Sequence, residues 1–196
     1  MWGQPPPAVQ PGAARFLRVN SHRSEVLKAW LAAILWLILI AVESTAYLSA
    51  SNTGRILYPL LHFLFGLDWT RFEDWHFYIR KTGHVIGYGM LSFLLFRAWR
   101  ATLPAMSGSR WTMHWATIAT LGTAFVASLD EWHQSFIPSR TGTIRDVILD
   151  TCAGIAVQIL IFVWWKAWVE ARLLARPLRE GREFTRTVDD QQSRRL

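Results

Sequence analysis

A single cysteine, Cys152, excludes an intrachain disulfide, and one thiol inside an apolar block says nothing of the redox compartment. Acidic residues are scarce beside basic ones, 14 against 21, which leaves a formal net charge of +7. Also missing is the helix- or strand-period spread of apolar residues expected of a soluble domain. Of 196 residues 52% are hydrophobic, and they come in blocks. Twelve Trp accompany the blocks, many near block ends (Trp30, Trp69, Trp75, Trp99, Trp111, Trp132, Trp164, Trp165, Trp168), as an aromatic belt would place them. This is the profile of a small polytopic membrane protein with polar tails. The basic excess flanks the blocks: Arg15, Arg18, Arg23 and Lys28 before the first, Arg97, Arg100 and Arg110 between the second and third, Lys166, Arg172, Arg176, Arg179 and Arg182 after the fourth. Such placement sets topology and meets anionic headgroups. Membrane lipids are therefore expected as partners, and nucleic acid is not.

Residues 1–26 read as a disordered, mildly basic arm opened by a proline run. The first span covers roughly Leu27 to Tyr47, long enough for the ~20 residues that a ~30 Å hydrocarbon layer needs. Ser49-Ala50 mimics a signal-peptide cleavage site, but the apolar stretch exceeds the roughly 7–15 residues of a signal core and carries Glu43 near its end, so an uncleaved span is expected. The run from Ile56 to Trp69 is too short to span and is broken by Pro59 and Gly66, which suits a re-entrant or interfacial segment. The second span runs from Tyr78 to Trp99, the third from Trp111 to Trp132, and the fourth from Ile144 past Trp168. Pro104, Ser107, Gly108 and Ser109 mark one loop and Ile137 to Thr143 another. Residues 171–196 form a basic tail, mostly disordered. The expected fold is thus all-α: a bundle of four transmembrane helices over residues 27–170, with a short re-entrant or interfacial segment after the first. Basic residues place the arm, the 97–110 loop and the tail in the cytoplasm, so both termini face in and the 49–80 and 130–145 segments face out of the cell membrane.

That weave brings the ionisable ends of three spans to one membrane face. Lys81, His84 and Tyr88 fall at i, i+3 and i+7 on one helix face. Gly83 and Gly87 form a small-xxx-small step suited to close helix packing. Asp130 and Gln134 stand at i, i+4, and the adjacent Glu131 shares Gln134's face. Two neighbouring carboxylates in a low dielectric need a cation or a proton, with Lys81, Arg140 and Arg145 as candidate partners. On the fourth helix Asp146 also suits the N-terminal dipole. Asp150, one turn deeper, should face the bundle, paired or protonated. His84, Glu131 and His133 do not converge by helical spacing, so neither a metal nor a cofactor is expected. The competing reading for the whole set is a structural ion-pair network pinning three helices, with no cavity.

The ordered set resembles the VanZ-like family of small integral membrane proteins over roughly residues 30 to 165. Lys81-x-x-His84-x-x-x-Tyr88 opens the second span and Asp130-Glu131-x-x-Gln134 closes the third. Pro138-x-Arg140 follows in the loop, and Asp146 with Gly154 lies in the fourth span. Many relatives carry Asn where this chain has Asp150, and often an acid where it has Arg80. The family is named for a member linked to teicoplanin resistance, so the resemblance implies a setting in the bacterial cell envelope.

Two functions compete. In the first, the outward-facing cluster binds a small anionic amphiphile: an envelope lipid, a wall precursor or a glycopeptide-like molecule. Lys81, Arg140 and Arg145 would grip its charge. In the second, the chain is a membrane enzyme acting on such a lipid, with His84 and Asp130 or Glu131 as acid and base. The stretch Ser139-Arg140 to Asp146 weakly resembles the last motif of phosphatidic-acid-type phosphatases. That motif needs a histidine just before its Asp, and Thr141 to Arg145 contain none. A transport path through four spans would need a second copy, so a homo-oligomer also fits.

Overall fold

The structure, a computed structural model, describes residues 11–45, 49–103, 113–138, 140 and 142–193, with side chains described except at 11–19, 51 and 175–193. The first ten residues, the loop expected at Pro104 to Ser109, Ser139 and the last three residues lie outside these. Among the described residues there are five helices and no strand: α1 Pro11–Glu43, α2 Ala50–Phe65, α3 Trp69–Thr102, α4 Met113–Gln134 and α5 Ile144–Ser193.

Three boundaries differ from those expected. α1 begins at Pro11, inside the arm read as disordered. α5 runs through the tail to Ser193. α3 starts well before Tyr78, where the Asp68 carboxylate accepts the Arg71 amide hydrogen at 3.0 Å and nothing in the next turns breaks the helix. The segment between the first two expected spans is a helix of its own. α2 has 16 residues and so spans roughly 24 Å, short of a bilayer core. Gly66 closes it in the left-handed conformation (φ 65°), its amide bonded to the His62 carbonyl at 2.8 Å. Tyr58 then packs edge-on against Trp69 and Phe72, folding α2 back onto the start of α3.

α3 is the central element, packed against α1, α2 and α4. Trp30 of α1 donates to Thr102 and Trp36 donates to the Gly87 carbonyl at 2.8 Å, so α1 and α3 run antiparallel. Phe96 beside Trp115 and Tyr88 beside Asp130 make α3 and α4 antiparallel as well. The first turns of α5 run alongside α3 in the same direction. Gln158 donates to Ser92 Oγ at 2.8 Å, and Ser92 donates to the Gly154 carbonyl at 3.1 Å. Close approach occurs at Gly154 rather than at the expected Gly83–Gly87 step. A Cβ on Gly154 would stand 3.1 Å from Thr123 Cγ2, whereas one on Gly83 or Gly87 would meet nothing within 4 Å.

Polar side chains share the interior with an apolar core that includes Phe72, Leu91, Phe96 and Trp115, and many large apolar residues face outward. Ser92, Thr123, Glu131, Gln134, Asp150 and Gln158 are buried, while Leu31, Leu35, Val85, Ile86, Leu121, Phe125 and Ile148 are exposed. Among the described residues two helices are long and apolar enough to cross a membrane, Asn20–Glu43 within α1 and Ile144–Leu174 within α5. α3 and α4 have the length but dilute their apolar runs with Lys81, His84, Asp130 and several Thr and Ser. The chain divides into two compact units, Met1–Gln158 and Ile159–Leu196. The second carries its own local contacts, Lys166 with Glu170 and Arg172 over the Trp168 ring at 3.6 Å.

Candidate functional site

The antiparallel pairing of α3 with α1 and α4 brings the start of α3, the end of α4 and the start of α5 to one end of the first unit. Lys81 donates to Asp146, part-buried on both sides. His84 Nδ1 lies 3.2 Å from Asp150 Oδ2, and Asp150 is 0% exposed. Tyr88 Oη donates to Asp130 Oδ2 at 2.7 Å, and Gln134 donates to the same oxygen at 3.1 Å. Glu131 is 5% exposed, and its Oε2 accepts the Thr143 amide hydrogen at 2.7 Å. Of the nine residues expected in the cluster, eight join in these pairs; the ninth, Arg140, caps α1.

The α1 helix ends at Glu43 with carbonyls that no later turn can satisfy. Arg140 Nη2 donates to the Glu43 carbonyl, and to the Thr45 carbonyl at 3.0 Å. Burial pulls the Arg140 guanidinium below its ordinary value, while the carboxylates of Asp130, Glu131 and Glu43 act to raise it. Glu131 therefore bonds a backbone amide rather than a base, unlike the expected cross-helix ion pair. The reason is local: the loop before α5 folds over the end of α4. Gly142 lies so close to the Glu131 carbonyl that any Cβ would collide with it. Thr143 also caps α5, accepting the Asp146 amide hydrogen on Oγ1 at 3.3 Å.

Beside this cluster opens a cavity of about 630 Å³. Its charged wall holds Arg55, Arg80, Lys81 and Arg140 against Glu73 and Asp146, and its apolar wall is formed by Trp69, Phe72 and Phe77. His76 stacks on Phe72 and faces Thr53 Oγ1 at 3.0 Å. Burial first, then the charge of Arg80, holds the His76 imidazole below its ordinary value, so it is neutral at pH 7. The presence of a cavity separates the arrangement from a closed ion-pair network.

A profile of the VanZ/LLP1 family matches residues 28–166. The chain belongs to the VanZ/LLP1 family. No curated protein matches it, nor does any solved structure. Family membership and the two apolar helices are compatible with a membrane protein.

Arg80 and Asp150 both lie in the site. Arg80 adds a cation to the cavity wall, and Asp150 is the buried partner of His84. Arg145, expected among the gripping cations, is exposed and outside the cavity. Its place is taken by Arg55 and Arg80, which the spacing of the second span does not single out. His133 turns away to Ser44 Oγ at 3.2 Å. His84 nonetheless converges with Asp130 and Glu131, one ligand atom of each lying within 4.8 Å of the others. Helical spacing on α4 alone misses that group, because its imidazole comes from α3. Thr143 had a readable signal, since Thr143-x-x-Asp146 ahead of an apolar run is a capping pattern.

Proposed function

We propose that this VanZ/LLP1 protein is a four-span protein of the cell membrane that binds an anionic amphiphile in an outward-facing cavity. The observation that carries the reading is the cavity wall: four cations, two acids and a three-ring apolar face around about 630 Å³. Phosphate or carboxylate would settle among Arg55, Arg80 and Lys81, and the apolar body against Trp69, Phe72 and Phe77. Lys81 is already shared with Asp146, so Arg80 is the stronger free contributor. Envelope lipids, wall precursors and glycopeptide-like molecules share this chemistry. The exposed apolar residues of α3 and α4 support two further spans, because bilayer-facing surface must be apolar while polar groups turn inward.

Titrating the purified full chain with a short-chain polyprenyl phosphate and with the corresponding neutral alcohol tests the reading. The phosphate should bind at least about tenfold more tightly, and Arg80→Gln with Lys81→Gln should remove that preference, since a charge-assisted hydrogen bond contributes about 1.5–3 kcal/mol. Equal affinity for phosphate and alcohol would refute it. One observation favours the enzymatic alternative: Asp150 can hold His84 in a fixed tautomer, as an orienting carboxylate does in acid–base sites. Release of inorganic phosphate in the same titration would select that alternative.

Orientation has its own test. Cys152 is exposed and must first be replaced, so the background is Cys152→Ser. In intact cells, Ser107→Cys and Ser193→Cys should resist a membrane-impermeant thiol reagent, and Ser139→Cys should react. The opposite pattern would put the cavity on the cytoplasmic side.

A further inference from the structure

Asp130, Glu131 and Asp150 bring three carboxylates close to one imidazole, and no ammonium or guanidinium among the described residues hydrogen-bonds any of them. Lys81 is committed to Asp146, and Arg140 to two carbonyls. Two of these acids carry a buried oxygen without a partner, Glu131 Oε1 and Asp150 Oδ1. A buried unpaired carboxylate oxygen is costly unless a positive charge or a proton meets it.

The bonds that are made share a pattern. His84 meets Asp150 through Nδ1, Asp130 is held by Tyr88 and Gln134 through Oδ2, and Glu131 is held by the Thr143 amide through Oε2. Each residue is thus oriented through one atom. His84 Nε2, the other Asp130 oxygen and Glu131 Oε1 remain over, without a hydrogen bond among the described residues. Metal-ligating histidines and carboxylates are held in this way, the second atom fixing ring tautomer and carboxylate direction. A small cavity of about 20 Å³, room for one water molecule or ion, lies against His84, Tyr88, Asp130, Gln134 and Glu43; Glu131 does not line it.

We propose that His84, Asp130 and Glu131 bind a divalent transition-metal cation, with Asp150, Tyr88, Gln134 and the Thr143 amide as the supporting shell. One imidazole nitrogen with two carboxylate oxygens suits Zn²⁺ or Mn²⁺. Mg²⁺ and Ca²⁺ prefer oxygen alone. One ligand atom of each residue lies within 4.8 Å of the others, and tetrahedral coordination would draw the three to about 3.3 Å apart. A doubly charged ion supplies the positive charge that Lys81 and Arg140 do not. The site rests on these contacts and not on the amphiphile reading, although His84 also lines the larger cavity.

The test uses the full-length chain in detergent, stripped with a chelator and dialysed against Zn²⁺ or Mn²⁺, with bound metal measured by mass spectrometry. One equivalent per chain is expected. In the Mn²⁺-loaded wild type, pulsed electron paramagnetic resonance should show nitrogen-14 modulation from a coordinated imidazole, a readout that needs no variant. Glu131→Gln and His84→Gln should each weaken binding by at least about tenfold, and Asp150→Asn, which keeps its shape, by about 10–100-fold. His133→Gln, which removes a nearby histidine outside the set, should leave affinity unchanged. Absence of stoichiometric binding, absence of nitrogen modulation, or equal loss in His133→Gln and His84→Gln would each overturn the proposal.

Discussion

Replacing His84 by leucine should cost the metal-free protein about 3–5 kcal/mol, the range for removing one partner of a buried pair. Asp150 is 0% exposed, its one hydrogen bond is to His84, and its other oxygen already lacks a partner. Without the imidazole the whole carboxylate is left unmatched in the packed interior between α3 and α5. Asp150→Asn should behave quite differently. The amide keeps the volume and a hydrogen bond to the ring but needs no counter-charge, so its cost should stay below about 1 kcal/mol. The double change His84→Leu with Asp150→Leu should recover much of the loss, because the buried charge leaves with its partner. Denaturant unfolding of the purified protein in detergent reads all three. A double variant no more stable than His84→Leu alone would show that removing the buried charge recovers nothing, against the roughly 0.5–3 kcal/mol of coupling typical of contacting charged residues.

The second large effect is expected at Gly142, where the loop crosses the end of α4. A Cβ there would run into the Glu131 carbonyl oxygen, with the Ser135 amide nitrogen at 3.1 Å and the Glu131 carbonyl carbon at 3.2 Å. All three are backbone atoms, so no flexible side chain can move aside. Gly142→Val should therefore destabilise by about 1–3 kcal/mol, as overpacking does. It should also push Thr143 off the Glu131 carboxylate and so loosen the site. Gly83→Ala provides the contrast. Its Cβ would meet open space inside a helix, and it should stabilise α3 by roughly 0.5–1 kcal/mol through reduced chain entropy. The two variants should therefore shift the unfolding midpoint in opposite directions. A neutral Gly142→Val would mean that the loop does not hold the geometry described above.

Helix content and family membership were legible in the linear order of residues. Apolar blocks of span length could only be helices; α5 begins at the expected Ile144 and α4 ends within two residues of the expected Trp132, because the turn-rich run from Ile137 to Thr143 separates them. The polar residues of α3, α4 and α5 were legible as a set for a related reason. Charges set into apolar runs stand out whatever the fold, and their spacing resembles that of the VanZ/LLP1 family. Less readable was α2, because sixteen residues with an internal proline satisfy neither a span nor a loop pattern until Tyr58 finds Trp69 and Phe72.

By itself the sequence determined helix type, the approximate blocks and the family, all of which depend on composition and on contacts within a few residues. Only the tertiary structure decided which charge meets which. Arg140 was as good a partner for Glu131 as any on paper, yet it caps α1, because the unsatisfied carbonyls at Glu43 and Thr45 come within its reach only once α1 and the loop are packed together. Arg80 and Arg55 enter the cavity because α2 folds back on α3, and His84 joins Asp130 and Glu131 because α3 runs antiparallel to α4. Pairings between residues forty or more positions apart depend on how the helices cross, and no local periodicity carries that information.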